Sequence, residues 1–171
     1  MIILGLGSNL DSKFGDRFKN IELAISFLKL DNIQILKKSC FYETPSYPNR
    51  NNPKFINIVI SIKTDLDPLK LMSFLLTVEK KLGRLRAKKN DPRTCDLDII
   101  DYNNEILEVS FKKSNFYLPH KNLSNRNFVL YPLKEILPLW KHPVTSESID
   151  TLISKLPNDD KRSILKVKNL L

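Results

Sequence analysis

Asp96 and Asp98 stand two residues apart in the run Pro92-Arg93-Thr94-Cys95-Asp96-Leu97-Asp98-Ile99-Ile100. In a strand, residues i and i+2 share a face. The two carboxylates would then stand side by side, with Leu97 and Ile99 turned the other way into a core. Like charges at that spacing repel, and a hard divalent cation such as Mg²⁺, liganded by oxygen, resolves the conflict. Arg84, Arg86, Lys88, Lys89 and Arg93 lie just upstream. Carboxylates that hold a metal, beside cations that hold phosphate, point to nucleotide phosphate chemistry. The motif alone leaves an exposed edge strand with two solvated aspartates equally open.

Other candidate groups are sparser. Gly5-Leu6-Gly7-Ser8-Asn9-Leu10 lacks the third glycine of a dinucleotide-binding turn, because Leu10 sits there. A tight turn at Gly5 and Gly7 is as open as a ligand contact. No Walker A motif occurs and the chain has four glycines, so a nucleotide site must be built without a glycine-rich cradle. His120 stands beside Pro119 and Lys121, with Arg126 near, and could donate to phosphate oxygens. His142 has no such company and reads as structural.

The elements that must position these groups follow from patterning. Residues 2–6 read as a strand and 17–30 as an amphipathic helix. Residues 33–42 read as one strand, and 44–53, with three prolines, as a long loop suited to binding. Residues 55–64 carry strong β-formers. Asp67-Pro68 is a helix start, with Gly83 as its stop. Residues 85–92 form a basic loop and 97–102 a fourth strand, with 105–109 expected to pair back on it. Residues 128–136 are apolar, 149–156 suit a late helix, and 158–171 read as a charged, mobile tail. The order is β-α-β-β-α-β: a ferredoxin-like α+β core, an antiparallel sheet with helices on one face plus C-terminal additions.

The chain has 171 residues, 27% charged and 42% hydrophobic, as expected of one soluble domain over 1–171. The N-terminus reads as a first strand, not a signal peptide, and no apolar run is long enough to span a bilayer. Cys40 and Cys95 form no ligand cluster, so two reduced thiols in a cytoplasm are expected. The net charge of +9 comes from scattered lysines; the cluster at 84–93 matters more.

Taken in order, several motifs converge. They are Gly7-Ser8-Asn9-Leu10, Phe41-Tyr42-Glu43-Thr44-Pro45, Phe55-Ile56-Asn57, Glu79 with Gly83-Arg84-Leu85-Arg86, the Pro92–Ile99 run, Leu118-Pro119-His120, and Asn125-Arg126-Asn127-Phe128. Through them the chain resembles the 6-hydroxymethyl-7,8-dihydropterin pyrophosphokinase family over roughly its first 135 residues. The resemblance implies transfer of pyrophosphate from ATP to the pterin hydroxymethyl group, with release of AMP, in folate biosynthesis. It implies that Asp96 and Asp98 hold two Mg²⁺ ions. Arg84 and Arg93 would be catalytic contacts to the phosphates. Glu79, Arg86, Ile99, His120 and Arg126 would line the nucleotide. Thr44, Pro45, Ser46, Phe55, Asn57, Asp96 and Phe128 would hold the pterin, with Phe55 and Phe128 stacking on its ring. Without the resemblance, both phenylalanines would read as core and Glu79 as an exposed helix residue.

The sequence departs from the family pattern in places. The basic loop is about one residue shorter and lacks a tryptophan; Phe55 replaces the commoner tyrosine, and Lys121 the tyrosine that often follows the histidine. The loops at 44–53 and 85–92 are expected to close over the site. ATP and the pterin are the expected partners, with no nucleic acid and no membrane. The chain is expected to be a monomer, alone or fused to other folate enzymes. An RNA-binding module of the same fold would need a Lys/Arg-Gly-Phe/Tyr-Gly/Ala-Phe strand, and nothing here matches it. A ligand-sensing regulatory domain would not need paired aspartates.

Overall fold

The computed structural model describes residues 1–47, 49–84, 91–112 and 114–167. The order is β1 (Ile2–Ser8), α1 (Arg17–Leu30), β2 (Gln34–Lys38), β3 (Phe41–Thr44), β4 (Phe55–Lys63), α2 (Pro68–Lys81) and β5 (Asp96–Tyr102). There follow β6 (Leu107–Phe111), β7 (Ser114–Leu118), a 3-10 turn at Leu123–Asn125, α3 (Asn127–Ile136), α4 (Ile149–Lys155), α5 (Asn158–Ser163) and β8 (Leu165–Val167).

The helix starts obey local chemistry. Asp16 accepts from the Lys19 N–H, and Asp67 from those of Leu69 and Lys70, so both helices begin with orphan donors satisfied. Pro68 occupies the first turn of α2, and Gly83 follows its end at φ +83°.

Every pairing in the main sheet is antiparallel, in the order β5-β1-β4-β3-β8, with β2 also on β4. This is the ferredoxin-like core, with the second core strand in two pieces. The single strand expected over 33–42 breaks at Ser39 and Cys40. β2 pairs with the second half of β4 and β3 with its first. Between them Ser39 is buried, and its Oγ accepts from the Val59 N–H at 3.0 Å. A polar side chain thus takes over a ladder bond where the strand kinks.

The alternation of side chains divides the sheet. On one face Leu4, Leu6, Ile58, Ile60, Leu97 and Ile99 pack under α1 and α2. On the other, Ile3, Val59 and Ile100 pack under Leu130 and Leu133 of α3 and Ile149 and Leu152 of α4. The C-terminal additions therefore cover one end of the second face and leave the other end open.

Two expectations need correction. Residues 105–109 do not pair back on β5; Leu107–Phe111 pairs with Ser114–Leu118 in a separate two-stranded sheet. Asn103 and Asn104, both at positive φ, turn the chain away from β5, and the Asn104 N–H is held by Asp101. The stretch read as a mobile tail is structured as far as Val167. α5 leads into β8, which adds to the edge of β3 through Phe41↔Val167, Tyr42↔Lys166 and Glu43↔Leu165. Its low apolar content hid it, because an edge strand is held by backbone bonds and needs little core.

Candidate active site

Gly5 and Gly7 lie inside β1, not in a turn. Across the ladder Gly5 faces Asp98 and Gly7 faces Asp96. On its other side Gly7 faces Asn57 of β4, and a Cβ there would meet Asn57 Oδ1 at 3.0 Å and Phe55 Cδ1 at 3.5 Å. Glycine in a strand interior costs stability; here it leaves a trough between two rows of functional side chains. The result is a solvent-open cleft of roughly 290 Å³ lined by Gly5, Gly7, Asn57, Asp96, Asp98 and Phe128.

Strand periodicity brings the expected residues to this face. Asp96 and Asp98 point into the cleft while Leu97 is fully buried behind them. Thr44 pairs with Phe55, and Asn57 Nδ2 donates to Thr44 Oγ1 at 3.0 Å. Phe55 and Phe128 are both half-buried rather than sealed in a core. Each carries a guanidinium over its ring, Arg93 at 4.8 Å and Arg126 at 5.4 Å.

The carboxylates are held by the cations expected to hold phosphate. Arg84 donates to Asp96 Oδ1, and Arg93 donates to Oδ2 at 2.7 Å. Burial opposes the Asp96 charge, but the Arg93 and Arg84 guanidiniums outweigh it and hold the carboxyl below its ordinary pKa. Arg126 pairs with Asp98 Oδ2 at 3.1 Å. His120 Nε2 lies 4.0 Å from the same oxygen. Burial depresses the His120 pKa although Asp98 opposes the shift. Its Nδ1 accepts from the Asn122 N–H at 3.1 Å, so the neutral ring presents Nε2–H toward the cleft.

Not every candidate residue presents its side chain to the cleft. Glu79 is 2% exposed, neither a solvated helix residue nor turned to the cleft. It pairs with Arg84 and accepts from the Leu97 N–H at 2.9 Å, bracing β5 from beneath. The Ile99 side chain is buried against α1 and α2, leaving only its backbone for a ligand. Ser46 Oγ is taken up by Pro53 O at 2.6 Å. Pro45 lies in the connection that follows β3. Arg86 and most of the basic loop fall outside the described residues. His142 accepts from the Val144 and Thr145 N–H groups, a structural role as expected.

Asn9 was not among the expected site residues, although the Gly7–Leu10 motif contains it. It is 2% exposed. Its Nδ2 donates to Ser46 Oγ and Pro53 O, both at 3.1 Å, and its Oδ1 accepts from the Arg93 N–H at 2.7 Å. One side chain thus fixes the Thr44–Pro53 connection to the segment that carries Arg93. Asn9→Ala leaves the Arg93 N–H without its acceptor and unties the Ser46–Pro53 pair from the end of β1, and is expected to cost about 1–3 kcal/mol. Urea unfolding measures it; an unchanged midpoint would remove this bracing role.

The donor set suits a hard cation. The two aspartates offer only carboxylate oxygens, and among the described residues no cluster of three or more His, Cys, Asp or Glu could cage a metal. Mg²⁺ binds in this way, through one or two carboxylates with substrate phosphates and waters completing its shell.

Comparison with known proteins agrees with this geometry. Residues 3–138 match the model of the 7,8-dihydro-6-hydroxymethylpterin-pyrophosphokinase (HPPK) family. The chain is 34% identical over 155 residues to a Synechocystis 2-amino-4-hydroxy-6-hydroxymethyldihydropteridine pyrophosphokinase, covering 90% of this chain and 75% of that one. It is 35% identical to the folic acid synthesis protein fol1 of Pneumocystis carinii, covering 96% of this chain but 21% of that one. The chain thus spans about a fifth of the length of such fol1 relatives. In fold it is similar to a Plasmodium falciparum HPPK-DHPS crystal structure with pterin and p-hydrobenzoate, at TM-score 0.75 and 15% identity, covering 99% of this chain and 48% of that one. With four-fifths of its length inside the matched region, the chain belongs to the 7,8-dihydro-6-hydroxymethylpterin-pyrophosphokinase family.

Proposed function

We propose that this chain transfers the pyrophosphoryl group of ATP to the hydroxymethyl oxygen of 6-hydroxymethyl-7,8-dihydropterin, releasing AMP. One observation carries the reading: paired carboxylates under an arginine clamp share a single cleft with Asn57 and Phe128. Asp96 and Asp98 would hold two Mg²⁺ ions, which would supply positive charge against the developing phosphate charge. Arg84 and Arg93, which lie against Asp96, would contact the phosphates. His120 donates from Nε2, and Arg126 closes the nucleotide side. Asn57 and Thr44 meet the donors and acceptors of the pterin ring while Phe55 and Phe128 offer it apolar faces. The pterin oxygen attacks the β-phosphorus in line as the bond to the α-phosphate oxygen breaks.

An RNA-binding module leaves the paired aspartates unexplained, and a ligand-sensing domain does not need them. The chain is proposed to act in the cytoplasm as a monomer or beside other folate enzymes. Among the described residues no helix is long and apolar enough to cross a membrane.

Phe128→Ala is expected to weaken pterin binding by about tenfold, through lost stacking and lost area. Affinity for an MgATP analogue should change by less than about twofold, because Arg126 loses only its contact with the ring and keeps its ion pair with Asp98. Calorimetric titration of both ligands checks it. Equal losses for the two would assign Phe128 a general structural role and count against the pterin site.

A further inference from the structure

The region matched by the family model ends at residue 138, yet the chain beyond it returns to the elements that wall the cleft. β8 pairs with β3, the strand that delivers Thr44 and leads into the connection at 45–53. Just before it, α5 meets the first residue of α3. Asn127 is 8% exposed, and its Nδ2 donates to Asp160 O at 2.6 Å and to Ser163 Oγ at 3.3 Å. Asn127 lies between Arg126, which pairs with Asp98, and Phe128, which lines the cleft. At the other end of α3, Glu135 accepts from the Tyr42 hydroxyl at 2.7 Å and pairs with Lys166 of β8 at 3.4 Å. Tyr42 and Lys166 are themselves cross-strand partners.

One ten-residue segment therefore grips both walls of the proposed pterin pocket, the β3–β4 wall at its edge and the α3 wall at both ends. We infer that residues 158–167 form a strap that sets the spacing of those walls, with Asn127 and Lys166 as positioning residues for the pterin. This rests on the pterin reading above. A flat ring held on two faces tolerates little change in wall spacing, since contact energy falls steeply over an ångström. A guanidinium on a flexible stem, such as Arg126, adapts more readily. The strap therefore governs pterin affinity more than nucleotide affinity.

The test uses the full chain with two substitutions, Asn127→Asp and Lys166→Pro. Aspartate keeps the shape of asparagine and suits a helix N-terminus, but it cannot donate to Asp160 O. Proline removes the ion pair to Glu135 and one backbone N–H from a three-residue edge strand. Titration of 6-hydroxymethylpterin, with an MgATP analogue saturating, should show affinity weakened about five- to tenfold in each variant, the scale of one lost hydrogen bond. Affinity for the analogue itself should stay within about twofold on the same scale. If both variants bind pterin as the parent does while Phe128→Ala does not, the strap is refuted and the pterin site stands. If pterin and nucleotide affinities fall together in proportion to thermal stability, the segment is structural only, and the inference is again overturned. A parent chain that binds no pterin would instead refute the underlying site. Should the Lys166→Pro chain not fold, the Asn127→Asp titration alone decides between these outcomes.

Discussion

Asp98→Ala is expected to abolish turnover, lowering kcat by about 10³-fold or more, while the melting temperature changes by no more than about 3 °C. Asp98 carries half of the cleft's carboxylate pair, and no third acid among the described residues stands ready to replace it. The phosphate charge that must be neutralised exceeds what Arg84, Arg93 and Arg126 supply, because the same three cations also balance Glu79, Asp96 and Asp98. The fold has little to lose. Asp98 is about a third exposed, and its partner Arg126 is also partly solvated, so their ion pair contributes little. Removing one of two adjacent carboxylates also relieves their mutual repulsion. Asp98→Asn, which keeps the shape without the charge, should be as inactive as alanine. Turnover within tenfold of the parent for either variant would remove the metal role, and circular dichroism would show whether the fold survived.

Glu79→Ala is expected to act through stability, costing about 2–4 kcal/mol and lowering the melting temperature by about 5–15 °C. Glu79 is buried, paired with Arg84, and accepts from the Leu97 N–H inside the core. Its removal leaves that N–H without its acceptor and lets Arg84 lean wholly on Asp96. Activity falls with it, because Arg84 loses the anchor that fixes its direction. Glu79→Gln keeps an acceptor for Leu97 and should recover part of the stability but less of the activity. If Glu79 were instead a nucleotide ligand, alanine would raise KM for ATP and leave the melting temperature unchanged. Thermal denaturation and steady-state kinetics on one sample separate the two.

The residues that carry chemistry were legible where their spacing encodes a face. Asp96 and Asp98 follow from period two, and so do Phe55 and Asn57, which reach the same side of β4 as Asp96 and Asp98 do of β5. The start of α2 was legible because Asp67-Pro68 is a local signal. What could not be read depends on partners distant in sequence. Glu79 carries no mark of burial in its helix, and only the approach of Arg84 and β5 makes a buried carboxylate tolerable there. Gly5 and Gly7 look like turn residues until β4 and β5 flank them, when their missing side chains become the floor of a cleft. Asn9 gains its role from groups as far as 84 residues away. The strap was lost because β8 has three residues and gains its bonds from β3.

Attack at the β-phosphorus is read from the identity of the nucleotide product. The chain is incubated with ATP, Mg²⁺ and 6-hydroxymethyl-7,8-dihydropterin, and the nucleotides are separated. AMP is expected in proportion to pterin consumed, with no ADP and no AMP when pterin is omitted. Pterin-dependent ADP would show that a single phosphoryl group moves and would rule out attack at the β-phosphorus.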